Sequence, residues 1–123
     1  MNDIKKIDDQ NRQIIIDLIV EGWRFSKLFA KVLSKLDAGE GQRYVNQFNY
    51  YLKHLQDKTE LAQLKIVNVE GLNFDIGMAV TPLNIEDFEP NTPLIVDQMM
   101  EPIIMGPDGI IKTGTVILKK ANA

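Results

Sequence analysis

The sequence predicts an α+β protein in which a long N-terminal helix and a second helix form a four-helix-type bundle with a second copy, ahead of a small all-β module. Three observations carry that expectation. From Ile4 to Leu36 there is no proline, and apolar residues recur at spacings of three and four. A short stretch with two glycines, "LDAGEGQRY" at Leu36–Tyr44, then interrupts the pattern. After Leu64, Ile, Val, Thr and Pro become frequent and the hydrophobic period shortens to two. The expected division is therefore 1–65, helical and dimerising, and 66–123, all-β.

The first helix reads as a heptad seam with a short coiled-coil lead-in. With Ile4 at position a, the seam continues through Ile7, Asn11, Ile14, Leu18, Glu21, Phe25, Leu28 and Val32. Gly22 is a potential weak point. Two readings of Asn11 stand side by side: a buried Asn at an a position pairs with its own copy and sets register, or the seam ends there and Asn11 faces water. Glu21 weakens a pure coiled coil, and Ile15, Ile16, Ile19 and Val20 widen the apolar stripe toward what a four-helix bundle needs.

After the glycine-bearing turn, a second helix is expected from about Gln42 to Asp57, with Tyr44, Val45, Phe48, Tyr51, Leu52 and Leu55 on one face. Thr59 is placed to cap one further turn. Two such helices cannot bury both stripes on each other and also support a sheet, so a homodimer is expected. Its interface is assigned to Ile7, Asn11, Ile14, Leu18, Phe25, Leu28, Val32, Phe48 and Leu52.

Strands are expected near 66–70, 76–81, 94–98, 100–105 and 110–119, forming a small antiparallel sheet or folded-over barrel. "GPDG", Gly106–Gly109, has the residues of a tight hairpin turn, which pairs the last two strands. "NIEDFEPNTP", Asn84–Pro93, reads as an acidic, proline-bearing loop.

Composition narrows the function classes. With 45% hydrophobic and 25% charged residues the chain is an ordinary globular one, which argues against disorder. Fourteen basic and seventeen acidic residues leave a net charge of −3 with no basic run interleaved with aromatics, so nucleic acid is not expected as a partner. The chain has no cysteine, which excludes disulfides and thiolate sites and suits a reducing compartment; a cytoplasmic location is expected. "IIIDLIV" is interrupted by Asp17 and is far shorter than the ~20 residues that span a bilayer, and "MNDIKKIDDQ" lacks a signal-peptide core. No membrane association is expected.

A search for catalytic groups finds no constellation. His54 is the one histidine, Ser26 and Ser34 fall on a helix, and "GEG" lacks the lysine of a phosphate loop. Glu86, Asp87 and Glu89 lack calcium-loop spacing. A non-enzymatic binding protein without cofactor or metal is expected.

The order of parts and several residues resemble GrpE, the nucleotide exchange factor of DnaK-type chaperones, over about residues 20 to 120. The family's Gly-x-x-Phe-Asp-Pro junction followed by Ala-Val is matched by Gly71, Phe74, Asp75, Ala79 and Val80. Ile76 replaces the proline, and Gly77 and Met78 stand in for a longer His-bearing segment. Glu101, Pro102 and Ile103 occupy the place of the family's Lys-Gly-Tyr, whereas Asp108, Gly109, Ile110, Val116, Leu118 and Lys120 keep its closing rhythm. The helical lead-in is shorter than the family's stalk.

The resemblance implies binding to the nucleotide-binding domain of a DnaK-type chaperone through the β-module, with the open cleft favoured and ADP released faster. The alternative is a dimeric adaptor that retains the fold and has changed its partner; a small-molecule-binding or enzymatic α+β domain is a third class. The implied docking residues are Met78, Ala79, Val80 and Thr81 together with Met99, Met100, Glu101, Pro102 and Ile103. Adjacent residues on a strand face opposite ways, so one of Met99 and Met100 is expected to point outward beside Ile103, the alternative being that both pack inside.

Overall fold

A break after Leu61 divides the computed structural model, which describes residues 2–121, into two compact units. The first contains α1 (Asn2–Leu33) and α2 (Ala38–Leu61). The second contains β1 (Lys65–Val67), β2 (Val80–Pro82), β3 (Leu94–Glu101), β4 (Ile103–Gly106), β5 (Gly109–Lys112) and β6 (Gly114–Lys120), with one 3-10 turn at Ile85–Asp87. The protein is α+β, with helices first and strands second.

In the helical unit, α1 runs unbroken through Gly22. A Cβ at that position would stand 2.7 Å from the Tyr51 hydroxyl oxygen and 3.5 Å from Leu55 Cδ2, so the glycine marks a close approach of α2, not a weak point. Seven residues later Phe29 meets Phe48 edge-on at 5.4 Å between ring centroids. These two meetings set an antiparallel register, with the N-terminal part of α1 extending past the end of α2. Every residue from Asn2 to Ile15 is exposed.

α1 carries two apolar stripes. Ile16, Ile19 and Val20 form a buried one with Gly22 and Ser26, while Ile4, Ile7, Ile14, Leu18, Phe25, Leu28 and Val32 remain exposed on another. Phe25 joins the two, stacking on Phe29 at 5.7 Å.

The connection is tighter than the glycines suggested. Asp37 caps α2: its Oδ1 accepts from the Glu40 N–H at 2.8 Å and its carbonyl from the Gly41 N–H at 2.7 Å. Gly39 and Gly41 therefore lie inside the first turn of α2, because a satisfied cap outweighs the intrinsic cost of helical glycine. Thr59 caps nothing; it lies within α2 and donates its hydroxyl to the Leu55 carbonyl at 2.7 Å.

The β unit is two three-stranded sheets, ordered β1-β4-β5 and β2-β6-β3. The hairpin at Gly106–Gly109 joins β4 to β5, with Gly109 at φ +125. The residues expected as one strand at 110–119 divide at Thr113, β5 ending one sheet and β6 entering the other. Conversely, 94–101 is one strand, and the break falls at Pro102, which has no N–H for the ladder and lies where the chain passes between sheets. At 76–81 only the end is strand; Asp75 turns the preceding segment, accepting from Gly77 N–H at 3.1 Å through Oδ1 and from Met78 N–H at 2.9 Å through its carbonyl. The first strand is likewise shorter than expected, ending at Val67.

The sheet is not wholly antiparallel. β2 runs parallel to β6, and β3 antiparallel to β6 on its other side. Gly114, Val116 and Leu118 of β6 turn to the buried side, as do Leu94, Val96 and Met99 of β3; Ile103 and Ile104 of β4 are buried as well. Two irregularities in β3, at Val96/Gln98 and Met99/Glu101, reset the alternation.

The free edge of β3 is covered locally. Gly71 N–H donates to the Val96 carbonyl at 2.8 Å, Val96 N–H to Leu72 at 2.9 Å, and Phe74 N–H to Leu94 at 2.8 Å. Further along, Glu70 Oε2 accepts from Met99 N–H at 2.9 Å. The edge is thus closed to intermolecular pairing over this length.

Candidate protein-docking surface

The two segments singled out for docking, 78–81 and 99–103, are separated by about twenty residues in sequence, and β6 brings them together. Val80 is level with Gly114 and Thr81 with Thr115; across β6, Thr115 is level with Glu101 and Val116 with Met99. Residues level in a ladder project to the same face, so Thr81, Thr115 and Glu101 form one row across three strands. At about 4.8 Å per strand, Thr81 and Glu101 lie roughly 10 Å apart. The Ala79 carbonyl accepts from Gly114 N–H at 3.0 Å and holds the start of β2 to β6.

The row divides the named residues sharply. Thr81 is exposed, Met78, Ala79, Val80 and Glu101 are half-buried, and Met100 is 45% exposed. Met99, Pro102 and Ile103 are core residues: Met99 is 1% exposed, Ile103 4%, and Pro102 is among the fully buried side chains. The expected patch of an outward methionine beside Ile103 is therefore corrected; Met100 does point outward, but Ile103 is inside. The physical reason is the bend at Pro102, which turns Ile103 and the following Ile104 into the interior. Met99 is held by more than packing, since its sulfur accepts from Val69 N–H at 3.3 Å.

Two ion pairs border this face. Lys112 Nζ reaches Glu101 Oε1 at 3.4 Å, and Lys119 Nζ reaches Asp97 Oδ1 at 3.5 Å. Partly exposed pairs of this kind contribute about 0–1 kcal/mol each, so they order the rim more than they stabilise the fold.

On the helical unit, the seam residues Ile7, Asn11, Ile14, Leu18, Phe25, Leu28 and Val32 are all exposed in the single chain, as is Leu52. Phe48 differs. It is half-buried against Phe29 inside the hairpin and is removed from the outward seam.

The groups weighed for chemistry are placed as follows. His54 is exposed and packs on Tyr50 at 4.2 Å between rings. Ser26 and Ser34 each donate to a helix carbonyl, of Trp23 and Lys31, at 2.7 Å. Among the described residues no three His, Asp or Glu side chains gather where they could hold a metal ion, and no helix is long and apolar enough to cross a membrane.

Three residues that shape the face escaped sequence reasoning. Gly114 sits where β6 crosses the β3–β4 bend. Asn84 acts as a substitute strand residue: its Oδ1 accepts from Leu118 N–H and its Nδ2 donates to the Leu118 carbonyl, both at 2.9 Å. Leu83, just before it, donates its N–H to the Val116 carbonyl at 2.9 Å and leaves its side chain exposed. Only Asn84 carries any sequence signal, as a polar residue at the head of a turn, and that signal does not identify Leu118 as its partner.

No protein-family model, curated protein or solved structure matches the chain.

Proposed function

We propose that the chain is a GrpE-like nucleotide exchange factor that pairs through α1 and presents the β2-β6-β3 face to the nucleotide-binding domain of a DnaK-type chaperone. The observation that carries this reading is the row Thr81–Thr115–Glu101. It joins into one surface the two segments that the resemblance makes docking elements, although they are distant in sequence. The role is mechanical: a partner that binds the open cleft better than the closed one shifts that equilibrium by its differential affinity, and ADP leaves faster. None of this requires a catalytic side chain.

The homodimer is supported by the exposed stripe on α1. Burying a side chain such as Leu18, Phe25 or Leu28 contributes roughly 1.5–3 kcal/mol, and two copies of the stripe supply several such burials. The test of function is release of a fluorescent ADP analogue from a DnaK-type chaperone. Acceleration that disappears with Met100→Asp combined with Thr81→Lys supports the proposal; an unchanged release rate with the unaltered protein refutes it.

One observation favours a second reading, a dimeric adaptor with another partner. Where the family carries Lys-Gly-Tyr, Pro102 and Ile103 are buried and only Glu101 is partly accessible, so one docking element has been rebuilt. A protein that dimerises and leaves ADP release unchanged fits that reading.

A further inference from the structure

We infer that α1 pairs with a second copy of this chain in antiparallel orientation, in the register that sets Asn11 against the partner's Glu21; this rests on the pairing through α1 proposed above and is independent of any chaperone. The outward seam is symmetric in polarity. From Ile4 to Leu28 its eight positions run apolar, apolar, polar, apolar, and then the same order reversed, with Asn11 and Glu21 as the polar members. All eight are exposed. The residues of α1 buried within the chain include Ile16, Ile19, Val20 and Ser26, which fall at heptad positions b, c and f, opposite the seam. The seam is therefore open to a second helix.

Such a pattern matches itself when one copy is reversed about residue 16. Ile14 then meets the partner's Leu18, Ile7 the partner's Phe25, and Ile4 the partner's Leu28, each contact occurring twice. The polar positions fall in shared layers, where the Asn11 amide donates to the partner's Glu21 carboxylate. In a parallel pair every seam residue faces its own copy, so Glu21 meets Glu21 of the partner subunit and two like charges share one layer. Asn11 is satisfied either way. Reversal keeps six of the seven apolar layers and forgoes only the one at Val32. A carboxylate left against its own copy in a seam costs more than one valine layer returns.

The flanking charges agree with this choice. Residues 22–31 carry Arg24, Lys27 and Lys31 and no acidic residue, whereas 2–10 carry three aspartates and two lysines. Antiparallel pairing lays these two segments together and brings Asp3 beside the partner's Lys31, while parallel pairing lays the basic segment on itself. One like pair remains at the symmetry axis, Asp17 beside its own copy. It lies at the solvent edge of the seam, where water screens it, and each Asp17 accepts from Gln13 Nε2 of its own chain at 2.9 Å.

The chain has no cysteine, so single nitroxide labels can be attached at Lys5→Cys and, separately, at Ala30→Cys of the full chain. Pulsed electron spin resonance then reads the distance between the two copies. At about 1.5 Å of rise per residue, reversal about residue 16 separates the labels along the axis by about 33 Å at position 5 and about 42 Å at position 30, whereas parallel pairing holds both within the width of two helices, about 20–24 Å. A double-mutant cycle of the dimer Kd with Asn11→Leu and Glu21→Leu tests the polar layer. The combined change is expected to depart from additivity by at least about fivefold, because the two residues share a layer only when the helices are reversed; in a parallel pair they lie about 15 Å apart and their effects add. All four substitutions replace exposed residues and should keep the helix content of the unaltered chain. Short distances at both positions, or additive effects on Kd, overturn the inference and leave pairing through α1 standing. If the unaltered chain is monomeric, that pairing falls and the inference with it. None of these outcomes decides whether ADP release is accelerated, so the exchange-factor reading stands or falls apart from them.

Discussion

Gly114 lies directly against Met99: a Cβ on the glycine would stand 2.7 Å from the Met99 Cε and 2.8 Å from the Glu101 carbonyl oxygen. Met99 is fully buried and bonded through sulfur to Val69, so it has little room to withdraw. The contact lets β6 pass under the β3–β4 bend, and with it brings Thr115 level with both Thr81 and Glu101. The row across β2, β6 and β3 depends on an absent methyl group.

Gly114→Ala is therefore expected to destabilise the β unit by about 1–3 kcal/mol, the usual cost of forcing extra volume into a packed core. Combining it with Met99→Ala should recover only part of the loss, because the clash with the Glu101 backbone oxygen persists. Urea unfolding followed by sheet signal measures both; full recovery in the double variant would show that backbone crowding is unimportant.

The exposed stripe on α1 yields a test of dimerisation. Leu18→Glu with Leu28→Glu should give a folded monomer in sedimentation, since both side chains are exposed in the single chain, at 66% and 61%, and a charge buried in a dimer seam costs several kcal/mol. Phe48→Glu should behave differently, melting the hairpin, because it packs on Phe29 within one chain. A doubly substituted chain that stays dimeric would place the interface elsewhere.

The approach of Tyr51 to Gly22 can be resolved by a mutant cycle. Alanine is about 1 kcal/mol better than glycine inside a helix, yet at Gly22 its methyl group meets the Tyr51 hydroxyl. Gly22→Ala should accordingly stabilise by about 0.5–1 kcal/mol in a Tyr51→Phe background and by clearly less with Tyr51 present. Thermal unfolding by helix signal reads the difference; equal effects in both backgrounds would mean that Tyr51 swings aside freely.

Periodicity and punctuation in the sequence determined the class of the fold and the order of its parts. The spacing of apolar residues from Ile4 to Val32, the change of period after Leu64 and the hairpin at Gly106–Gly109 are local signals, and the long helix, the β unit and the hairpin they announce are present, with the strands divided at other places than expected. Element ends moved where a side chain acted on the backbone, as Asp37 did by starting α2 within the expected turn, ahead of the expected helix start near Gln42.

Tertiary structure alone decided which strands are neighbours and which side of each faces water. Nothing along the chain says that Val80–Pro82 lies parallel to Gly114–Val116, because such a pairing depends on non-local contacts and leaves no period of its own. The same holds for Met99 and Met100, chemically identical and adjacent, one sealed in the core and the other in solvent. Alternation required that they part, but only the bend at Pro102 and the missing side chain at Gly114 settled which of them turned inward.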